Sequence, residues 1–467
     1  MKKIITVLIA VLLITSCSTT KQSMNADAKK YYTDNASSFE VFTLKNGIPV
    51  VLKKNESQKV LSLSIMIDGA NALLDPQQSG IENITLAMMT RGSKYFAYDV
   101  IKEKMHKTKA SIAGYTANGY SYFTLTCIDH YFSDLYQVFA DSFLHPSFSE
   151  NEFENIKTAN LQNLQSLLND PNSLVQYTAE RAVYKNHPFE TNIRPTYETI
   201  QTISLDDVAS FHKTLMNAKR ITIVASGNID PAYLEERLTM YFAAIPVLDY
   251  ESPVIPPVTI SGDTEIIAHP SASGTGFLSK VYSFPQFTDK DYMPSVLACT
   301  IYSEILYNVV REKYGACYSI GNTQMLSKAP YMMLYVNSAS DLQNLPYYID
   351  EAQNIMSEGK IIDSKNTETN EFTFLTLEET LDGYKNSLIN SLFSAYVTSS
   401  GQVLQIMGSI HLTGNKEAYL KLLERIDEVS TEDIMRVFNT YWMESPGRWF
   451  IVCGSEDVNS IPLSLYK

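Results

Sequence analysis

The chain has 467 residues, 45% hydrophobic and 19% charged, with 19 Gly and 18 Pro. That length exceeds one ordinary domain, and the balance excludes wholesale disorder, collagen-like repeats and a mini-protein stapled by disulfides. Lys plus Arg number 37 against 51 Asp plus Glu, a formal net charge of −14 that repels nucleic acid and leaves no basic face to bind it. Tyr 30 against Trp 2 points to wide, half-wet surfaces, because tyrosine joins a broad apolar ring to a polar tip.

Residues 1–16 carry a basic start (Lys2, Lys3), an apolar run over 4–14 and the small pair Thr15-Ser16 before Cys17. This pattern predicts a cleaved secretory signal, too short to span a bilayer as a mature helix. The cysteine after small residues resembles a bacterial lipobox. That resemblance implies an acylated Cys17, a lipid anchor, and a place in the cell envelope, with the outer membrane facing the periplasm favoured. Loss of Lys2 and Lys3 takes the net charge from −14 to −16. Residues 17–38 are rich in Ser, Thr, Lys and Asn and read as a flexible tether. Cys127, Cys299, Cys317 and Cys453 sit in apolar runs and read as buried free thiols, although pairing stays open outside the cytoplasm.

In chain order, a strand over 44–52 has a hairpin signal at Asn46-Gly47, and a second strand runs over 60–67. A helix over 80–93 closes on a glycine C-cap. Strands over 109–117 and 120–128 pair, and helices follow over 131–143 and 149–169. Asp170-Pro171 breaks the last of these. The stretch 203–226 is repeated at 429–452, an offset of 226 residues. Each copy opens on a variant capping box (Ser204 with Asp207, Ser430 with Asp433), continues as a helix, and ends as a strand near Gly227 or Gly454. The second copy also has strands over 317–326 and 331–336, then helices over 342–356 and 367–394. A proline-rich junction, Pro246 to Pro257, cannot continue a helix. The expectation is α+β, with two homologous domains of mostly antiparallel sheet packed with helices. Residues 39–245 form the first, 246–265 the linker and 266–467 the second.

No catalytic constellation can be assembled from the residues alone. The seven histidines are scattered, with no H-x-x-H or H-x-x-E-H, and no G-x-S-x-G elbow or phosphate loop occurs. His187 reads as a surface residue and Glu378-Glu379 as a solvated face.

The order of parts, with Gly80-Ile-Glu-Asn83-Ile-Thr-Leu86-Ala87-Met88 running on to Gly92-Ser93 and Asn228 after Gly227, resembles the insulinase/pitrilysin family of zinc peptidases. In particular it is similar to the family's two-subunit, processing-peptidase-like branch, over about residues 39–467. The family's frame G-x-x-H-x-x-E-H-M-x-x-x-G-T places the first zinc ligand at Asn83, the general base at Leu86 and the second ligand at Ala87. The third ligand, a Glu on the later long helix, falls at Asn163. Positions 83 and 87 are one helical turn apart and share a face. Zinc asks for imidazole, thiolate or carboxylate, however, and Ala87 has no donor atom while Leu86 cannot take a proton. Glu82 lies off that face. The expectation is a degenerate site holding no metal, with zinc carried by a partner.

Val310-Arg311-Glu312-Lys313-Tyr314-Gly315-Ala316-Cys317-Tyr318-Ser319 resembles the family's L-R-E-K-x-G-x-A-Y-S segment. The family's Gly-Gly before the preceding helix is replaced by Ile301-Tyr302-Ser303. The resemblance implies that Arg311 holds substrate carbonyls and that Tyr318 hydrogen-bonds the oxyanion at the zinc site of another subunit. It therefore implies a non-catalytic, membrane-anchored subunit that pairs with an H-x-x-E-H-bearing partner and binds extended peptides. The alternative is a pseudopeptidase serving as a peptide-binding scaffold lipoprotein with no proteolytic partner.

Overall fold

The computed structural model describes residues 30–466. The leader and Cys17 lie outside them. The N-terminal half builds a six-stranded sheet from β1 (Phe39–Thr43), β2 (Pro49–Lys54), β3 (Val60–Asp68), β4 (Ser111–Ala117), β5 (Tyr120–Ile128) and β6 (Ile221–Gly227), in the order β1-β2-β6-β3-β5-β4. The C-terminal half builds a five-stranded sheet from β7 (Glu265–Ala268), β8 (Gly276–Ser283), β9 (Ser319–Met325), β10 (Tyr331–Ala339) and β13 (Arg448–Cys453), in the order β7-β13-β8-β10-β9. A hairpin of β11 (Lys360–Lys365) and β12 (Phe372–Thr376) stands apart.

Without β1 the two sheets superpose strand for strand in order and in sense. Each has one parallel pair, β2 with β6 and β7 with β13, and is otherwise antiparallel. The repeated segment supplies one strand of that parallel pair in both halves, β6 and β13, and its cap chemistry is also repeated. Ser204 accepts from the Asp207 amide and Ser430 from the Asp433 amide, each with the acid reaching back. Two sequence-distant copies thus start the same helix by the same reciprocal pair of bonds.

The helices tie the halves together. The helix Pro171–Val183 starts at once where Glu150–Asn169 ends, because Asp170 accepts the Ser173 amide and Pro171 occupies the first turn. It crosses to the other half and packs on β8 and β13. There Val175 and Ala179, fully buried, join Val281, Tyr331, Phe450 and Val452. Reciprocally, the helix Ser399–Thr413 packs on β3 and β6 of the first sheet. Its Val403, Ile406 and Met407 close over Val51, Met66 and Val224. Gln402 accepts from Ser226 Oγ, and Ser399 Oγ donates to the Val60 carbonyl. Each sheet therefore has one face covered by a helix from the opposite half. This explains why β3 is buried along nearly its whole length rather than on alternate residues.

Several expectations need correction. The helix over 80–93 runs only Ile81–Met89; Gly80 precedes it at φ 81°, Thr90 is its C-cap, and Gly92 follows at φ 113° in the turn beyond. The helix expected over 367–394 is Leu377–Tyr396, preceded by β12. Alternating Phe372-Thr-Phe374 after a polar stretch is a hairpin pattern, and Thr376 with Glu379 caps the helix that follows. His187 is a strut of the junction and not a free surface residue. Its Nδ1 accepts the Phe189 amide, so Nε2 carries the proton and donates to the Pro256 carbonyl at 2.9 Å. The helix Tyr292–Lys313 is long and apolar enough to cross a membrane, but Leu297, Ile301, Tyr302, Leu306 and Val309 are all fully buried, making it the core helix of the C-terminal half. Cys127, Cys299, Cys317 and Cys453 are free and buried. Burial pushes the first two thiols up to about 12 and the last two to about 11, so none is a reactive thiolate at neutral pH.

His411, on the helix Ser399–Thr413, titrates the contact between halves. It is 5% exposed, and neither ring nitrogen meets a hydrogen-bond partner among the described residues. Burial, helped by Lys328 and opposed by Asp68, lowers its pKa from 6.5 to about 4. The folded state therefore binds this proton later than the unfolded chain does. The stability present above pH 6.5 is lost as pH falls towards 4. Urea denaturation across this window should show a slope that His411→Gln reduces by ~3 kcal/mol over the whole window.

Candidate functional site

Two places carry the residues that the family frame singles out. The first is the helix Ile81–Met89 against the first sheet. Leu86 is 1% exposed and packs so closely on β4 that a Cβ added at Gly114 would meet the Leu86 Cβ at 2.6 Å. Asn83 and Ala87 are half-buried on the neighbouring face, as a four-residue spacing requires. Asn163 is exposed on the helix Glu150–Asn169, which touches the Ile81–Met89 helix, but no hydrogen bond among the described residues joins it to Asn83. Glu82 turns to the sheet. It accepts from Ser121 Oγ, its second oxygen is unpartnered, and burial raises its pKa against the weaker pull of Ser121 and Arg220. It is a buried acid of the core, and no base for the 83/87 face.

These side chains do not fit zinc. Two neutral amides, a methyl group and an isobutyl group stand where three ligands and a base are needed, and an amide oxygen alone is a poor donor for this ion. Among the described residues no group of three or more His, Cys, Asp or Glu stands together as a metal site. The base position is also mechanically committed to the core. Leu86→Glu should lower unfolding stability by ~3 kcal/mol or more, since it buries a carboxylate against Gly114 with no partner. A urea titration checks this.

The second place is the turn after the long core helix. The helix Tyr292–Leu306 widens into a π-turn over Tyr307–Lys313, in which the Tyr314 amide bonds the Val309 carbonyl and the Ala316 amide the Val310 carbonyl. Gly315, at φ 61°, lets the chain reverse in a conformation that disfavours any Cβ. The reversal brings the two predicted residues together: Arg311 Nε donates to the Tyr318 carbonyl at 3.1 Å. Tyr318, 72% exposed, projects from the entry to β9, and its amide bonds the Asn337 carbonyl of β10 at 3.0 Å. β9 is the open edge of its sheet, as β4 is of the other.

The turn is braced from two sides. Glu351 pairs with Lys313 at 2.6 Å and accepts from the Tyr314 hydroxyl, while Tyr314 stacks on Tyr348 with ring centroids 3.9 Å apart. The β11–β12 hairpin adds Lys365 Nζ to the Glu312 carbonyl and Asn370 Nδ2 to the Lys313 carbonyl. Where the family's Gly-Gly is missing, Ile301 and Tyr302 are buried in the helix, and Ser303 Oγ accepts the Asn322 amide of β9 at 2.9 Å. The substitution thus anchors the edge strand to the helix. The remote bracing residues Glu351, Tyr348, Lys365 and Asn370 were not singled out by sequence reasoning, because they lie tens of residues from the turn they hold. No hydrogen bond or ion pair among the described residues links Arg311 or Tyr318 to the Ile81–Met89 helix.

Two family profiles match consecutive parts of the chain: the insulinase family, peptidase family M16, over residues 49–196, and the peptidase M16 inactive domain over 202–365. The chain belongs to the insulinase family. The first profile covers the degenerate helix; the second covers Arg311 and Tyr318. Among curated relatives, an uncharacterized zinc protease YmxG of Bacillus subtilis is 22% identical over 195 residues, covering 42% of this chain and 48% of the relative. A non-peptidase homolog YmxG of Helicobacter pylori is 21% identical over 182 residues, covering 39% and 42%. The matches thus span about half the length of these two relatives. Two solved insulinase-fold structures align along nearly their full lengths. One is a protease from Helicobacter pylori, with TM-score 0.76 and 15% identity over 89% of this chain and 99% of that one. The other is a peptidase M16 inactive domain from Pseudomonas fluorescens, with TM-score 0.74 and 17% identity over 89% and 98%. The expected fold, two insulinase-type domains of mixed α and antiparallel-rich β structure, is borne out.

Proposed function

We propose that this insulinase-family chain is the zinc-free subunit of a two-subunit zinc endopeptidase, and that it lends Arg311 and Tyr318 to the metal site of an H-x-x-E-H-bearing partner. The observation that carries the reading is a contrast within one chain. The ligand and base positions have lost every suitable donor, while the Arg311–Tyr318 turn is intact, braced and presented at the surface. Arg311 spends Nε on the Tyr318 carbonyl, which leaves its terminal N–H groups for substrate backbone carbonyls. The Tyr318 hydroxyl, on an exposed ring, is free to donate to an oxyanion. An extended peptide would gain main-chain hydrogen bonds from an open sheet edge such as β9. Relatives named as the beta subunit of mitochondrial-processing peptidase, in Arabidopsis thaliana among others, support a subunit arrangement. The leader and Cys17 place the complex on the envelope by a lipid anchor, with the periplasmic side favoured.

Co-purification with a zinc-bearing family member, followed by a peptide cleavage assay with and without this chain, tests the reading. Activity should require both chains. A partner that cleaves equally well alone overturns it and favours the scaffold role that the name of the Helicobacter pylori relative allows.

A further inference from the structure

Between the two halves, lined by residues of both exchanged helices, lies a cavity of about 600 Å³, within the range of small-molecule sites. Its walls come from both halves: Tyr120 after the β4–β5 turn, Glu180 and Tyr184 around the end of the Pro171–Val183 helix, Tyr331 of β10, and Tyr419 beyond the Ser399–Thr413 helix. Tyr184 and Tyr331 stand edge to face with ring centroids 5.7 Å apart. The Tyr184 hydroxyl is fixed by the Ala329 carbonyl at 3.1 Å, which holds its ring as a wall.

Glu180 is the anomaly. It is surrounded by protein on most sides, yet remains half-exposed because its side chain borders the cavity. Its carboxylate makes no hydrogen bond or ion pair with any other described residue; Arg181 and Arg194 act on it only from beyond ion-pair distance. An acid so placed among tyrosine rings has no counter-charge in contact with it.

We propose that this cavity binds a small organic cation, an ammonium group on a compact apolar or aromatic body, with Glu180 as counter-charge and tyrosine faces as its walls. Ring faces attract cations through their quadrupole, and a carboxylate in a confined site supplies the specificity. The chain's net charge of −14 favours cations over anions at long range. Burial raises the Glu180 pKa against the weaker pull of Arg194 and Arg181, and a cation bound beside the carboxylate would act in the opposite direction. Arg194 is exposed at the cavity wall and opposes cation entry. The site is independent of zinc and of any partner subunit, so its test stands apart from the peptidase reading.

The probe is benzyltrimethylammonium, with neopentylbenzene as its uncharged isostere, titrated calorimetrically into the full chain. The cation should bind at least tenfold more tightly than the isostere. Glu180→Gln should weaken it at least tenfold while leaving the melting temperature unchanged or higher, because the half-exposed carboxylate makes no hydrogen bond or ion pair that the amide would lose. Arg194→Ala should strengthen binding. Equal affinity for the two probes, no binding of the cation, or an affinity indifferent to Glu180→Gln overturns the proposal.

Discussion

Cleavage of an extended peptide by the proposed two-subunit enzyme is expected to fall by on the order of a hundredfold or more in kcat/KM when this chain carries Arg311→Ala with Tyr318→Phe. Loss of one preorganised oxyanion donor costs about 3 kcal/mol of barrier, and the phenol hydroxyl is the only group that Tyr318→Phe removes. That single change should lower kcat with little effect on KM, because the hydroxyl is used only as the oxyanion develops. Arg311→Ala should raise KM as well, since in the proposed role the guanidinium binds substrate carbonyls, and it holds the Tyr318 backbone through Nε. The two effects should fall short of multiplying, because Arg311 positions the residue that Tyr318→Phe alters. Thermal unfolding of this chain is the control. Tyr318 is 72% exposed, so Tyr318→Phe should leave the melting temperature unchanged, and a rate loss cannot then be a folding loss. Undiminished cleavage by the double variant would remove the functional proposal.

Val175→Asp is expected to destabilise the whole molecule by about 3–5 kcal/mol, although it lies in the N-terminal half. Val175 is fully buried, and its neighbours Val281, Phe450 and Val452 belong to strands of the C-terminal sheet. The substitution places an unpaired carboxylate between a helix of one half and a sheet of the other. The readout is built in: both tryptophans, Trp442 and Trp449, are in the C-terminal half. If the exchanged helices couple the halves, tryptophan fluorescence and far-ultraviolet circular dichroism should report one shared urea transition, shifted to lower denaturant by Val175→Asp. A tryptophan transition left where it was would show that the C-terminal half stands alone, against the interlocked packing.

Much of this was readable in the chain before folding. The capping boxes at Ser204 and Ser430 and the strands on either side of Gly119 are local signals, each decided by residues within one turn or one hairpin. The missing donors at Leu86 and Ala87 follow from chemistry alone, since no fold can give a methyl group a lone pair. The pairing of Arg311 with Tyr318 was also close to local, because seven residues and one glycine suffice to bring them together. What the chain did not disclose were its two most consequential helices. Pro171–Val183 hid behind a helix-breaking Asp-Pro, which here caps a new helix instead of ending structure. Ser399–Thr413 carries an apolar stripe that looks the same whichever sheet it covers.

By itself the sequence determined the duplication, most of the element types, the want of zinc-binding side chains at positions 83, 86, 87 and 163, and the segment that carries Arg311 and Tyr318, because these depend on side-chain identity and near neighbours. Only the tertiary structure decided that the halves exchange helices, that Glu351 and the β11–β12 hairpin brace the Arg311 turn, and that Glu180 faces a cavity between the halves with no counter-charge in contact. Those features depend on which buried surface meets which across hundreds of residues. Hydrophobic attraction is non-directional, so a local pattern shows that a face must be covered without showing what covers it.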